Sequence, residues 1–161
     1  MIVCKKTFFL LPLIFSLFIT KITSAQLLQA TASGYIDKIQ DLQFGSFYPG
    51  SSGGTITVST NGTRSSNGSF VFLPGYPANQ AQFKFTMSRL FGFVNINITA
   101  DNLTRVGGGG TLPLTVSYTP QSFFTWLYRV TYINVGGTLT ISPTSLPGAY
   151  IGNIYITEIS Q

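Results

Sequence analysis

Between glycine, proline and asparagine punctuation the chain alternates apolar and polar residues with a period of two, the pattern of half-buried β-strands. Val94, Ile96, Ile98 and Ala100 alternate with Asn95, Asn97, Thr99 and Asp101, so one face of that strand is expected in a core and the other in water. Ala81, Phe83, Phe85 and Met87 alternate in the same way with Gln82, Lys84, Thr86 and Ser88, and Leu114, Val116 and Tyr118 with Thr115, Ser117 and Thr119. Further strands are expected over residues 42–47, 55–60, 69–73, 128–135, 138–142 and 149–159. No stretch carries a capped helical period, and the runs are filled by branched and aromatic side chains that suit a pleated surface. The pattern therefore predicts an all-β, antiparallel fold of about eight short strands, arranged as a sandwich. An outer-membrane barrel fits less well, because it needs strands of about 9–11 residues.

The N-terminus breaks this pattern. Lys5 and Lys6 precede an apolar run over residues 7–20, and Thr23, Ser24 and Ala25 supply small residues for cleavage, the layout of a secretory signal peptide. The run is shorter than the roughly 20 apolar residues a membrane span requires. Residues 1–25 are thus expected to be removed, leaving no membrane span, with residues 26–36 as an N-terminal arm and 37–161 as the sandwich domain.

That cleavage changes the charge picture. The whole chain has nine basic and four acidic residues; Lys5, Lys6 and Lys21 leave with the signal, so the net charge falls from +5 to about +2. Of the six that remain, Arg64, Lys84, Arg89, Arg105 and Arg129 are scattered, which argues against a nucleic-acid partner. Cys4, the single cysteine, leaves too, so stability is expected from packing and sheet pairing without a disulfide.

Little material for catalysis is present. The chain has no histidine, so the usual general base and metal ligand is missing. Asp37 and Asp41 would lie about 13 Å apart along a strand, beyond the roughly 5–9.5 Å of a glycosidase pair. The glycines from Gly107 to Gly110 are followed by no Gly-Lys-Ser/Thr sequence and read as a hairpin loop. Asn61, Asn67, Asn97 and Asn102 each begin an N-x-Ser/Thr sequence, and Asn97 has the polar parity of its strand. A non-enzymatic protein is expected, with no metal and no organic cofactor.

Residues 44–50 (FGSFYPG), 54–68 (GTITVSTNGTRSSNG), 135–141 (VGGTLTI) and 147–152 (PGAYIG) resemble a family of short secreted bacterial proteins, a domain of unknown function similar in pattern to fimbrial subunits. The resemblance covers nearly the whole mature chain. It implies an immunoglobulin-like or pilin-like sandwich, a periplasmic transit to the bacterial cell surface or beyond, and no catalytic residues. Read physically, Gly45, Gly68, Gly136 and Gly152 mark bends, bulges or turns, and Pro49-Gly50 and Pro147-Gly148 mark turns. The chain departs from the pattern at Glu158, which has the same parity as Ile156.

Two functions follow. The first is a structural subunit, fimbria- or pilus-like, that associates with itself or with other surface subunits. Leu28, Ala30, Ala32, Gly34 and Ile36 alternate with Gln29, Thr31, Ser33 and Tyr35, a segment suited to strand addition into a neighbouring sandwich. The second is a glycan-binding, adhesin-like module, for which Phe123, Phe124, Trp126 and Tyr128 would be the ligand platform. Large aromatics more often fill cores, and core filling is the expectation for these four; their exposure decides the matter.

Overall fold

The computed structural model describes residues 34–88 and 90–160. All regular structure among them is β, in twelve strands: β1 (Gly34–Gln40), β2 (Phe47–Val58), β3 (Arg64–Phe72), β4 (Ala81–Met87), β5 (Phe91–Ala100), β6 (Leu103–Arg105), β7 (Thr111–Leu112), β8 (Leu114–Thr119), β9 (Ser122–Trp126), β10 (Val130–Ile141), β11 (Tyr150–Ile151) and β12 (Ile154–Ser160). Every ladder is antiparallel. Among the described residues no helix is long and apolar enough to cross a membrane.

The first layer is organised by β10. Residues 130–135 of β10 pair with β4, residues 137–141 pair with β2, and β8 pairs with residues 134–139. A strand has two edges, and the β8 register overlaps both others, so β4 and β2 share one edge end to end while β8 holds the opposite edge. The sheet therefore forks at Gly136, with β1 extending the β4 branch and β3 the β2 branch. A methyl group at Gly136 would press on the Val58 carbonyl and the backbone of Ser59 and Thr60, so the fork needs glycine there for close approach.

The second layer consists of two three-stranded sheets, β12-β5-β9 and β11-β6-β7. They meet at a joint where β5 gives way to β6 and β11 to β12. The Asp101 amide donates to the Asn153 carbonyl at 3.0 Å, and Asp101 Oδ2 accepts from Asn153 Nδ2 at 3.3 Å and from the Tyr155 hydroxyl at 2.8 Å. The hydrogen bond to Asp101 holds the Tyr155 phenol above its ordinary pKa.

The two layers enclose two apolar clusters. The first joins Phe83, Phe85 and Met87 of β4, Val94, Ile96 and Ile98 of β5, and Ile133 and Val135 of β10. The second joins Phe44, which precedes β2, Ile56 and Val58 of β2, Leu112 of β7, and Leu139 and Ile141 of β10. Leu42 packs against both. The fold is thus an antiparallel β-sandwich, as the alternation predicts.

Several element expectations need correction. Twelve strands replace about eight, because short pieces on the second layer pair separately. Residues 128–135 and 138–142 belong to one strand, since Gly136 and Gly137 pass through the sheet without turning. Residues 149–159 instead form two strands, broken at Gly152 and Asn153. Over residues 42–47 only a Gln43–Asn79 bridge precedes β2. Pro49 and Gly50 lie inside β2, where the register to β3 shifts, rather than in a turn between strands. The glycine run does close a hairpin, between β6 and β7, with Leu103 opposite Leu112. Asp37 lies opposite Lys84, and Asp41 pairs with Lys38 at 2.9 Å, both at the surface.

Candidate functional site

Two features stand out, and they lie on different parts of the sandwich. One is an aromatic outer face on the β12-β5-β9 sheet. Along β5 the side chains of Val94, Ile96 and Ile98 enter the core, so the opposite parity, Phe91, Phe93, Asn95 and Asn97, faces outward. On β9, Thr125 is buried and Phe124 and Trp126 face outward. Register places Phe91 directly opposite Trp126 and Phe93 directly opposite Phe124. Directly paired residues in antiparallel strands share a face, so four aromatic rings form a two-by-two array. Their exposures are 69, 44, 59 and 49% for Phe91, Phe93, Phe124 and Trp126.

The platform residues expected from sequence thus divide. Phe124, Trp126 and Tyr128 are exposed, which corrects the expectation that they fill the core. Phe123 does go inward, packing edge-on against Phe85 with ring centroids 5.4 Å apart. The segment Ser122–Trp126 is strand β9, and strand alternation separates Phe123 from its neighbours. Arg129 stacks on the Trp126 ring, 4.1 Å from its centroid. Between them, Tyr128 takes a left-handed backbone conformation at φ 60°, costly for a side chain of this size. Its amide donates to the Met87 carbonyl and the Arg129 amide to the Trp126 carbonyl, which holds the turn. Phe91 and Phe93 were not among the expected platform residues. Their signal is in the sequence: they continue the wet parity of Asn95 and Asn97 backwards along one strand.

The second feature is a cavity of about 1130 Å³ between the layers, open on one side. Its walls include Phe44, Leu103, Leu112, Leu114, Leu139 and Ile141. Exposed Tyr48, Tyr76 and Leu146 stand among the residues around it, and residues 145–154 form one border. In that border β11 pairs with β6 and β12 with β5, and among the described strands no other strand lies along the outer edge of β11. Near its far wall Phe47, Phe70 and Phe72 pack together, with the Arg64 guanidinium 3.8 Å over the Phe72 ring and donating to the Phe44 carbonyl at 3.2 Å. At this size the cavity exceeds the roughly 300–1,000 Å³ of small-molecule pockets, and no ionisable pair converges in it beyond Lys38 and Asp41 at its edge.

Of the residues expected to form the subunit contact, Gly34 and Ile36 lie in β1, opposite Met87 and Phe85 of their own chain, and Ile36 packs on the first cluster. Leu28, Ala30 and Ala32 lie outside the described residues. The first three residues of β1, Gly34 to Ile36, fall in the expected arm, and the strand runs on across its boundary with the sandwich.

No curated protein and no solved structure matches the chain. One family model does, described as "Domain of unknown function (DUF4402)", over residues 35–158, which takes in nearly all of the β-structure from β1 to β12. The chain belongs to that family of domains of unknown function.

Proposed function

We propose that the protein is a non-catalytic structural subunit, exported by cleavage of residues 1–25 and assembled at the bacterial cell surface into fimbria-like polymers by strand addition. The observation that carries this reading is the open cavity beside the edge of β11, which among the described strands pairs only with β6. A strand laid there would meet main-chain partners along one side and an apolar wall beneath, the two requirements of strand addition. The donor is the arm of a second copy. Since β1 is already paired with β4, the donor is confined to residues 26–33, ahead of Gly34. Eight extended residues reach about 26 Å at 3.3 Å each. Their alternation sends Leu28, Ala30 and Ala32 to one face, small enough to enter between the layers without forcing the walls apart.

Deleting residues 26–33 tests the proposal. β1 and both clusters are untouched by the deletion, so the shortened protein should stay folded but run as a monomer where the parent forms polymers. A synthetic peptide of residues 26–33 should bind the shortened protein and raise its melting temperature with peptide concentration. Polymers that survive the deletion would refute strand addition by this arm, and so would a parent protein that is monomeric after export.

A further inference from the structure

We infer that the outer face of the β12-β5-β9 sheet is a binding surface for a neutral polysaccharide chain, laid over the paired rings Phe91–Trp126 and Phe93–Phe124. This is a separate site from the cavity, on the opposite side of the second layer from the core, and it does not depend on how subunits join.

Four observations select this occupant. First, the rings are presented, not stored: all four keep 44–69% of their surface in water, although each sits on a strand whose other face is fully packed. Second, their area is limited. With about 150–250 Å² for each whole ring side chain, the exposed aromatic surface is roughly 300–550 Å², the size of a functional patch on a monomer.

Third, the aromatic rows carry no charge, and β12 adds Tyr155, Thr157 and Ile159 to the same face, with the Asp101 carboxylate at its far end accepting from the Tyr155 hydroxyl. The outward residues of β5 and β9, namely Phe91, Phe93, Asn95, Asn97, Phe124 and Trp126, include no acid and no base. Among the described residues Arg129 is engaged with one face of the Trp126 ring, which fixes the ring while leaving half of its surface accessible. An anionic polymer would find no row of positive charge. Fourth, the aromatic rows run on into amides: Asn95 and Asn97 follow Phe93 along β5, and Ser122 lies opposite Asn95. Flat apolar rings beside amides and hydroxyls match a sugar ring, which has an apolar C–H face and a polar hydroxyl rim. Tyr128, in the turn two residues after Trp126, is 76% exposed at a backbone conformation that favours glycine.

The test is retention of the full exported chain on insoluble cellulose, chitin and mannan, with polygalacturonate as the charged control. Retention on at least one neutral polymer is expected, little affected by salt, and weakened at least tenfold by Trp126→Ala and by Phe93→Thr with melting temperatures close to that of the parent. Phe124→Ser supplies an independent reading if either variant folds poorly, and Val71→Ala, an exposed apolar change on β3, should leave retention intact. Failure to bind all three neutral polymers would overturn the proposal. Equal retention of all three variants would overturn it as well, as would preference for polygalacturonate or variants that change only the oligomeric state, the mark of a second copy on this face. Deleting residues 26–33 should not affect retention measured per chain.

Discussion

The two halves of the sandwich share one long strand and one alternation of side chains, yet one is closed and the other open. Around the first half of β10, Phe85, Met87, Val94, Ile133 and Val135 have no exposure, and Phe123 closes the space above Phe85. Around the second half, Ile56, Val58, Leu139 and Ile141 are as well buried, but a cavity of about 1130 Å³ lies beside them. The difference comes from what faces them. The closed half is covered by strands of 7, 10 and 5 residues, β12, β5 and β9. The open half is covered by β11, β6 and β7, of 2, 3 and 2 residues. Strands that short cannot lay enough side chains over a twelve-residue strand, whatever their composition. Apolar alternation decides which face turns inward; the length of the facing strand decides whether that face is covered.

The largest contrast is expected from core truncation. Phe85→Ala removes a fully buried ring in the closed half and should cost about 3–5 kcal/mol, read as a shift in the urea midpoint. Leu114→Ala, on the cavity wall and only half-buried, should cost about 1 kcal/mol, because much of the space it vacates already adjoins a void. Equal costs would mean that the second half is as tightly packed as the first.

Between these two lies the fork. Gly136→Ala should cost about 1–3 kcal/mol, since the added methyl meets backbone that cannot yield. Gly137→Ala should cost less, because its methyl would lie 3.0 and 3.1 Å from the movable ends of Leu114 and Leu42 and 3.2 Å from the Thr115 carbonyl, its nearest backbone neighbour and a longer approach than any at Gly136. Reversal of that order in thermal melts would contradict the assignment of Gly136 to the point where β4 and β2 share one edge.

The smallest effect concerns the joint between the halves. Tyr155 has its pKa raised by the hydrogen bond to Asp101, so the neutral phenol is the form favoured in the fold. Its contribution is then fully present below the ordinary tyrosine value of 10.0 and is lost as pH rises through the higher folded value. Absorbance titration should show one tyrosine ionising late, and Tyr155→Phe or Asp101→Asn should remove that late component. A titration unchanged by both substitutions would place the perturbed group elsewhere.

Much of this was legible in the sequence, for reasons that are local. The parity of Val94, Ile96 and Ile98 against Asn95 and Asn97 is a property of one strand, and the structure keeps it. The same rule, carried back two and four residues, assigns Phe93 and Phe91 to the wet face; their apolarity hides this, since burial is the usual fate of phenylalanine. Phe123, Phe124 and Trp126 could be sorted only once β9 was known to be a strand, because in a loop no parity separates them. The fork at Gly136 and the poor cover over Leu139 and Ile141 are long-range matters. They depend on which strands reach the two edges of β10, and no residue of β10 records that.

The measurement that bears most directly on strand addition uses two single-cysteine chains, one carrying Ala30→Cys in the arm and the other Ile151→Cys on the exposed β11 border of the cavity. Cys4 lies in the segment expected to be removed, so neither exported chain would carry a second thiol. After the two are mixed, allowed to assemble and oxidised, strand addition predicts a disulfide-linked heterodimer joining Cys at position 30 of one chain to Cys at position 151 of the other. Strong cross-linking that appears only when both substitutions are in one chain, and yields monomers closed on themselves, would show the arm filling its own cavity and would contradict assembly by strand addition.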